Sequence, residues 1–376
     1  MPRPKRQARR ITISPAGGSV AGALSVLDNL KRRGEMEISP AAGERGGGKV
    51  PANILETLRK KGVIVLREDP ARRRVVWAPE KKVFLGIGFS RKKAFLVRLS
   101  IDGTVLSEHK VGIGDQYNYR GKVKELKAVV SSIAEHKDQV PGPFEYAGVA
   151  VPSYLSEGND RATDILGDGL AHVFNCDTFT VDEFIACAYG QRDFAERPVK
   201  GAEIIYLHKD TGNGAVLRGE NIIPDQTGNG DGKAEYLRPW EQFGVVETAK
   251  QLINKGVGTD IVRLVEGDID ELSLEDVLKA AEREDELALD LVKRAGLALG
   301  VRAAYLVNIY GIGTVVLGGG TQQQEGDFVS FVRESGNRFM LESLRGELRI
   351  LPGLNSDNIS ALGSAALCRR ELFMEV

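Results

Sequence analysis

From Val83 onward the chain alternates short β-rich runs with longer helical ones, and this alternation points to an α/β fold. The stretch FLGIGFSRKKAFLVRLSIDGTVL reads as a strand, a turn, a second strand and a hairpin turn at Asp102-Gly103. A helix is expected near Lys122 to His136, and a strand at Ala147 to Pro152. Further on, EDVLKAAEREDELALDLVKRAGLALGVRAAYLVNIYG predicts two long helices, and TVVLGGG predicts a buried strand closing on Gly318, Gly319 and Gly320.

The segment before Val83 follows a different pattern. Residues 1–18 mix Arg, Lys, Pro, Ser and Gly without apolar periodicity and read as a flexible basic arm. Val20, Leu24, Leu27 and Leu30 recur at helical spacing, predicting an amphipathic helix that ends near Gly34. Ser39 before Pro40 signals a second helix, which Gly46, Gly47 and Gly48 keep short. Val50, Ile54, Leu55 and Leu58 mark one face of a third helix, closed by Lys60, Lys61 and Gly62. Two β-rich runs, Val63–Leu66 and Val75–Trp77, flank the turn REDPARRR. Helix, short helix, helix and basic hairpin amount to a winged helix-turn-helix over residues 19–82. Lys49, Asn53 and Arg59 are its candidate groove contacts, and Arg72, Arg73 and Arg74 its candidate wing contacts to double-stranded DNA.

The net charge of −1 conceals a partition that supports this reading. Residues 1–82 carry 19 Lys and Arg against 8 Asp and Glu, whereas the remainder carries 32 against 44. A basic head on an acidic body directs a polyanion to the head. The three cysteines, Cys176, Cys187 and Cys368, form no C-x-x-C pair and read as buried thiols, with neither a disulfide framework nor a zinc site. No apolar run reaches the roughly 20 residues of a membrane span, and no signal-peptide core follows the basic start. The expectation is a cytoplasmic protein.

The late segments carry a family resemblance. DELALDLVKRAGLALGVRAAYLVNIYGIGTVVLGGG and the following ISALGSAALC resemble the paired helices, adenosine-side glycine loop and closing helix of the ROK family of bacterial repressors and sugar kinases. The resemblance spans about residues 83–370. It implies a two-lobed actin-like ATPase (ribonuclease H-like) fold, with a first lobe over 83–200, a second over 201–356, and the C-terminal helix of 357–376 packing back on the first. It also implies a homodimer or higher homo-oligomer.

Phosphoryl transfer needs close backbone approach to phosphates, a metal-orienting acid and a base for the attacking hydroxyl. Set against the family's patterns, these parts are depleted. Gly88 in GFSRKK stands where the first phosphate loop has its aspartate. Asp182 and Glu183 in DEFIACAYGQ stand for the asparagine and catalytic aspartate, leaving Glu183 as a vestigial base. The second phosphate loop keeps Thr211, Gly212 and Gly214. The sugar-contacting motif keeps Glu235 but places Arg238 where a histidine belongs, and the cysteines of the family's zinc site are missing.

The expected protein is therefore a DNA-binding transcriptional regulator, a repressor by family resemblance, with a catalytically inactive sugar-kinase-like module. It needs neither metal nor cofactor. A sugar or sugar-phosphate effector would sit around Asp182, Glu183, Glu235 and Arg238. Two alternatives remain open: an ATP-dependent sugar kinase with altered motifs using Glu183 as base, and a non-catalytic protein-interaction scaffold.

Overall fold

The computed structural model describes residues 8–11, 18–38, 52–69, 72–78, 80–90, 93–113, 123–152, 161–194, 203–209, 212–223, 245–319, 327–354 and 357–374. The chain divides into two compact units. Unit 1 comprises Met1–Asp193, Gly219–Asn221 and Asp357–Val376; unit 2 comprises Phe194–Arg218 and Ile222–Ser356.

Unit 1 begins with β1 (Ala8–Arg10), α1 (Gly18–Arg33), β2 (Glu35–Ile38), α2 (Ala52–Lys60), β3 (Ile64–Asp69) and β4 (Arg72–Trp77). α1 buries Val20, Leu24, Leu27 and Leu30, the face read from their spacing. Its last turn carries Lys31, Arg32 and Arg33, whose positive charge suits a helix C-terminus, and Gly34 follows in the left-handed region at φ 76°. α2 turns Ile54, Leu55 and Leu58 inward. β2, β4 and β3 form an antiparallel three-stranded sheet in that order.

Three features of this head differ from the sequence reading. β2 was not foreseen. The hairpin strands run further than expected, with Asp69 opposite Arg72, so Arg72–Arg74 belong to β4 rather than to a turn. Within the segment expected as a flexible arm, Ala8–Arg10 forms β1, parallel to residues 178–180 of a strand in the body. The short helix expected after Ser39 lies outside the described residues.

The body of unit 1 contains β5 (Val83–Ser90), β6 (Lys93–Ser100), β7 (Val105–Gly112), α3 (Val123–Glu135), β8 (Tyr146–Val151), α4 (Ala162–Phe174), β9 (Asp177–Asp182) and α5 (Glu183–Phe194). Its sheet runs β1-β9-β8-β5-β6-β7. β5, β6 and β7 form an antiparallel meander, and β8 and β9 add to β5 in parallel. On one face Leu85, Ile87 and Leu96 pack against Leu126 and Val129 of α3 and Leu166 and Leu170 of α4. Burying a side chain of this size contributes about 1.5–3 kcal/mol. The other face receives the final helix, α11 (Ile359–Met374), directly on the backbone of β5 and β8. A Cβ on Gly86 would run into Ala361 O, and one on Gly148 would lie 2.7 Å from the Ser364 carbonyl carbon, so glycine is required at both crossings.

Unit 2 repeats the strand order. β10 (Glu203–His208), β11 (Gly214–Arg218), β12 (Asn221–Ile223), β13 (Thr314–Gly318) and β14 (Arg349–Pro352) form a sheet ordered β12-β11-β10-β13-β14. β10 pairs antiparallel with β11 and parallel with β13. The helices are α6 (Val245–Asn254), α7 (Ile261–Leu264), α8 (Leu274–Glu282), α9 (Glu286–Tyr310) and α10 (Asp327–Phe339). α9 starts at an Asp285 N-cap that accepts a hydrogen bond from Ala288 N at 2.9 Å, and stops at left-handed Gly311. Its buried Leu291, Leu299 and Val307 join Val315 and Leu317 of β13 in one core.

Candidate functional site

On α2 the polar face opposite Ile54, Leu55 and Leu58 presents Asn53, Glu56 and Lys60, with Arg59 on its flank; all four are exposed. Lys60 was missed in the sequence, although its seven-residue spacing from Asn53 puts both on one face. Lys60 Nζ lies 2.9 Å from Glu56, which lowers the pKa of that carboxyl chiefly through the hydrogen bond. Arg74 also has a partner on its own sheet: its Nη1 lies 3.2 Å from Glu35 Oε1. Arg72 and Arg73 lie at the β4 end nearest the hairpin turn. Lys49 lies outside the described residues.

In the body of unit 1, Gly88 is inside β5 rather than in a loop, and α11 begins over it. A Cβ there would strike Ser360 Oγ and lie 2.6 Å from Ala361 N. The position where the kinase pattern has its acid therefore has no room for a side chain.

Asp182 ends β9 and caps α5. Its Oδ1 accepts hydrogen bonds from Phe184 N at 2.8 Å and Ile185 N at 3.3 Å. Burial pushes its carboxyl pKa up, against the pull of these two N–H groups. This capping role is one that the sequence reading did not give Asp182. Glu183, the first residue of α5, is partly buried. Glu235 and Arg238 lie outside the described residues, so only the Asp182–Glu183 pair of the expected pocket is brought together among those described.

In unit 2, Gly212 adopts a left-handed conformation at φ 68° in the turn between β10 and β11, where His208 N donates to Asn213 O at 2.8 Å. Gly214 opens β11. The glycines that end β13 serve packing: a Cβ on Gly318 would meet the Tyr206 hydroxyl, and one on Gly319 the His208 ring. Thr211 and Gly320 lie outside the described residues. Lys209, which the sequence reading passed over, is buried at the head of the β10–β11 turn, and burial lowers its pKa. Cys176, Cys187 and Cys368 are buried. Among the described residues no three His, Cys, Asp or Glu side chains are grouped to hold a metal ion, and no helix is long and apolar enough to cross a membrane.

Known proteins match this architecture. The DNA-binding transcriptional dual regulator NagC of Escherichia coli K12 is 20% identical over 356 residues, covering 86% of this chain and 85% of its own length. An N-acetylglucosamine repressor of Shigella flexneri matches to the same extent. Among solved structures, a ROK family transcriptional regulator described as a homolog of the E. coli MLC protein superposes with a TM-score of 0.62 at 15% identity, covering 86% of this chain and 88% of that one. A ROK family glucokinase from Streptomyces griseus, in complex with glucose and AMPPNP, gives 0.55 at 20% identity, covering 76% and 98%. These superpositions establish the actin-like ATPase fold, and residues 254–371 match the ROK family model itself. That matched segment holds helices α9 and α10, strand β13 and most of the closing helix α11, so over this stretch the chain is similar to the ROK family.

Proposed function

We propose that this chain is a transcription regulator that binds double-stranded DNA through residues 19–82 as a winged helix-turn-helix, as a homodimer on a palindromic site. Its body binds a sugar or sugar phosphate without transferring phosphate. The observation that carries this reading is the head: a basic helix–strand–helix–hairpin unit built ahead of the kinase-like body, with Asn53, Arg59 and Lys60 outward on α2. The coverage of the relatives supports it. The glucokinase spans about the share of the chain that follows Lys82, whereas the regulators extend beyond that share.

The test is fluorescence polarisation on the chain's own upstream DNA across a salt series. Affinity should fall steeply with salt, as counterion release requires, and binding indifferent to salt would count against the proposal.

A sugar kinase is the second reading, favoured by the glucokinase superposition and by Glu183 at the start of α5. A coupled ATPase assay with a panel of hexoses separates the two. Turnover that Glu183→Gln abolishes would establish the kinase.

A further inference from the structure

The turn between β6 and β7 is where the head, the linker and the final helix meet. Asp102 Oδ1 accepts from Thr104 N at 3.0 Å, and Asp102 Oδ2 lies 2.6 Å from Lys81 Nζ in the linker that leaves the head. The neighbouring linker residue, Lys82, is held on another side by Glu145 at 2.6 Å. A cavity of about 510 Å³ lies along this linker, between Lys61, Gly62 and Ala78 of the head and Val83, Pro143 and Phe144 of the body. The head thus has space beside it, and its orientation depends on how the linker is pinned.

Gly103 adds a second connection. It is left-handed at φ 76°, and a Cβ there would lie 2.8 Å from Arg369 Nη1 of α11 and 3.6 Å from Lys31 Nζ of α1. Two cations therefore approach the same glycine beside a carboxylate that already holds a third. Arg369 is drawn the other way by Asp193, at 3.7 Å. Asp193 is the last residue of unit 1 before the chain enters unit 2, and it also pairs with Arg192 at 2.6 Å. Arg192 in turn meets Glu220, at 3.3 Å, within the three residues that return from the unit 2 segment.

We propose that the Asp102–Gly103 turn is the joint that sets the orientation of the head, and that Arg369 makes this joint answer to the place where the chain crosses between the units. A displacement of Asp193 frees the Arg369 guanidinium to compete with Lys81 for Asp102, and the linker loosens. The second half of this inference rests on the reading of the body as an effector module; the first half does not.

The test uses the full chain without DNA or effector, so its outcome is independent of whether the head binds DNA. Spin labels are placed on Asp28→Cys in α1 and Glu135→Cys in α3, both exposed, while the native thiols are buried. The parent gives one narrow distance distribution. Lys81→Met, Asp102→Asn and Arg369→Met each broaden it about twofold or more, as expected when one favoured state gives way to several, and Lys81→Met with Asp102→Asn together broaden it no further than the wider single variant. Asparagine at 102 keeps the acceptor for Thr104, so the turn itself is preserved. Unchanged distributions in the Lys81 and Asp102 variants, or effects that add, overturn the joint. An unchanged Arg369→Met distribution overturns the link to the crossover. If the joint holds, a loosened head also binds DNA about tenfold more weakly, since only part of the population is correctly oriented.

Discussion

Ser360, at the start of α11, occupies the space that a side chain on Gly88 would need. Restoring the acid of the kinase pattern with Gly88→Asp therefore forces α11 off β5. The expected outcome is a loss of about 1–3 kcal/mol from overpacking, seen as a lower Tm, with no gain of ATP turnover. A coupled assay showing hexose-dependent turnover in this variant would contradict the reading of the first phosphate position as closed.

Asp182 acts on stability through the N-terminus of α5. Asp182→Ala should cost about 0.5–2 kcal/mol, the range for losing an N-cap side chain, and Asp182→Asn much less, since asparagine caps equally well. Urea denaturation of the three proteins is the measurement. A larger effect of Asp182→Asn on effector affinity than on stability would give this residue a pocket role beside its cap.

The wing arginines should not be equivalent. Arg72→Ala and Arg73→Ala are each expected to weaken DNA binding across all sequences and to reduce the salt slope by about 1. Arg74→Ala should leave that slope nearly unchanged and cost stability by about 0–1 kcal/mol, because Arg74 already serves Glu35 on the sheet surface. Polarisation titrations of the three variants between low and moderate salt distinguish the cases.

Asp102 gives the head a pH dependence. Burial alone would raise its carboxyl pKa, but the hydrogen bonds from Lys81 and Thr104 and the Lys81 charge hold it down at about 2. An unfolded aspartate titrates near about 3.9. The depressed folded value means that the contribution is fully present above the unfolded value and is lost as the pH falls toward 2. Acid titration of Trp77 fluorescence should show a transition in that window in the parent and none in Asp102→Asn. Trp77 is a suitable reporter because Lys81 Nζ lies 5.6 Å from its ring centroid.

What could be read from the sequence was what side-chain periodicity encodes. α1 and α2 were legible because each buries one stripe, and α9 because a long helical run precedes TVVLGGG; its caps, Asp285 and Gly311, are ordinary helix signals that would have fixed its ends. β1 was not legible: its three residues Ala-Arg-Arg have no apolar alternation, and the strand exists through backbone pairing with Thr178–Thr180. β2 was hidden for a related reason, since Glu35 and Glu37 look like a solvated helix end until Arg73 and Arg74 of β4 lie alongside. The capping role of Asp182 was passed over by following a motif alignment. An Asp immediately before the helical run EFIACAYG is an N-cap signal in its own right. Lys209 had no signal at all, because its burial arises only from tertiary packing.

The glycine-lined face of unit 1 also bears on how this protein is made. Gly86 and Gly148 lie in strands made before the segments of unit 2, yet the helix that covers them is made only after those segments. Until Ile359 and the residues after it emerge, the nascent sheet has one finished side and one bare side, and a bare apolar sheet face invites aggregation. A message cut short just before α11 would therefore yield a chain with its head and every strand of its three sheets encoded but with its first domain unable to close, a substrate for chaperones and proteases rather than a smaller working protein.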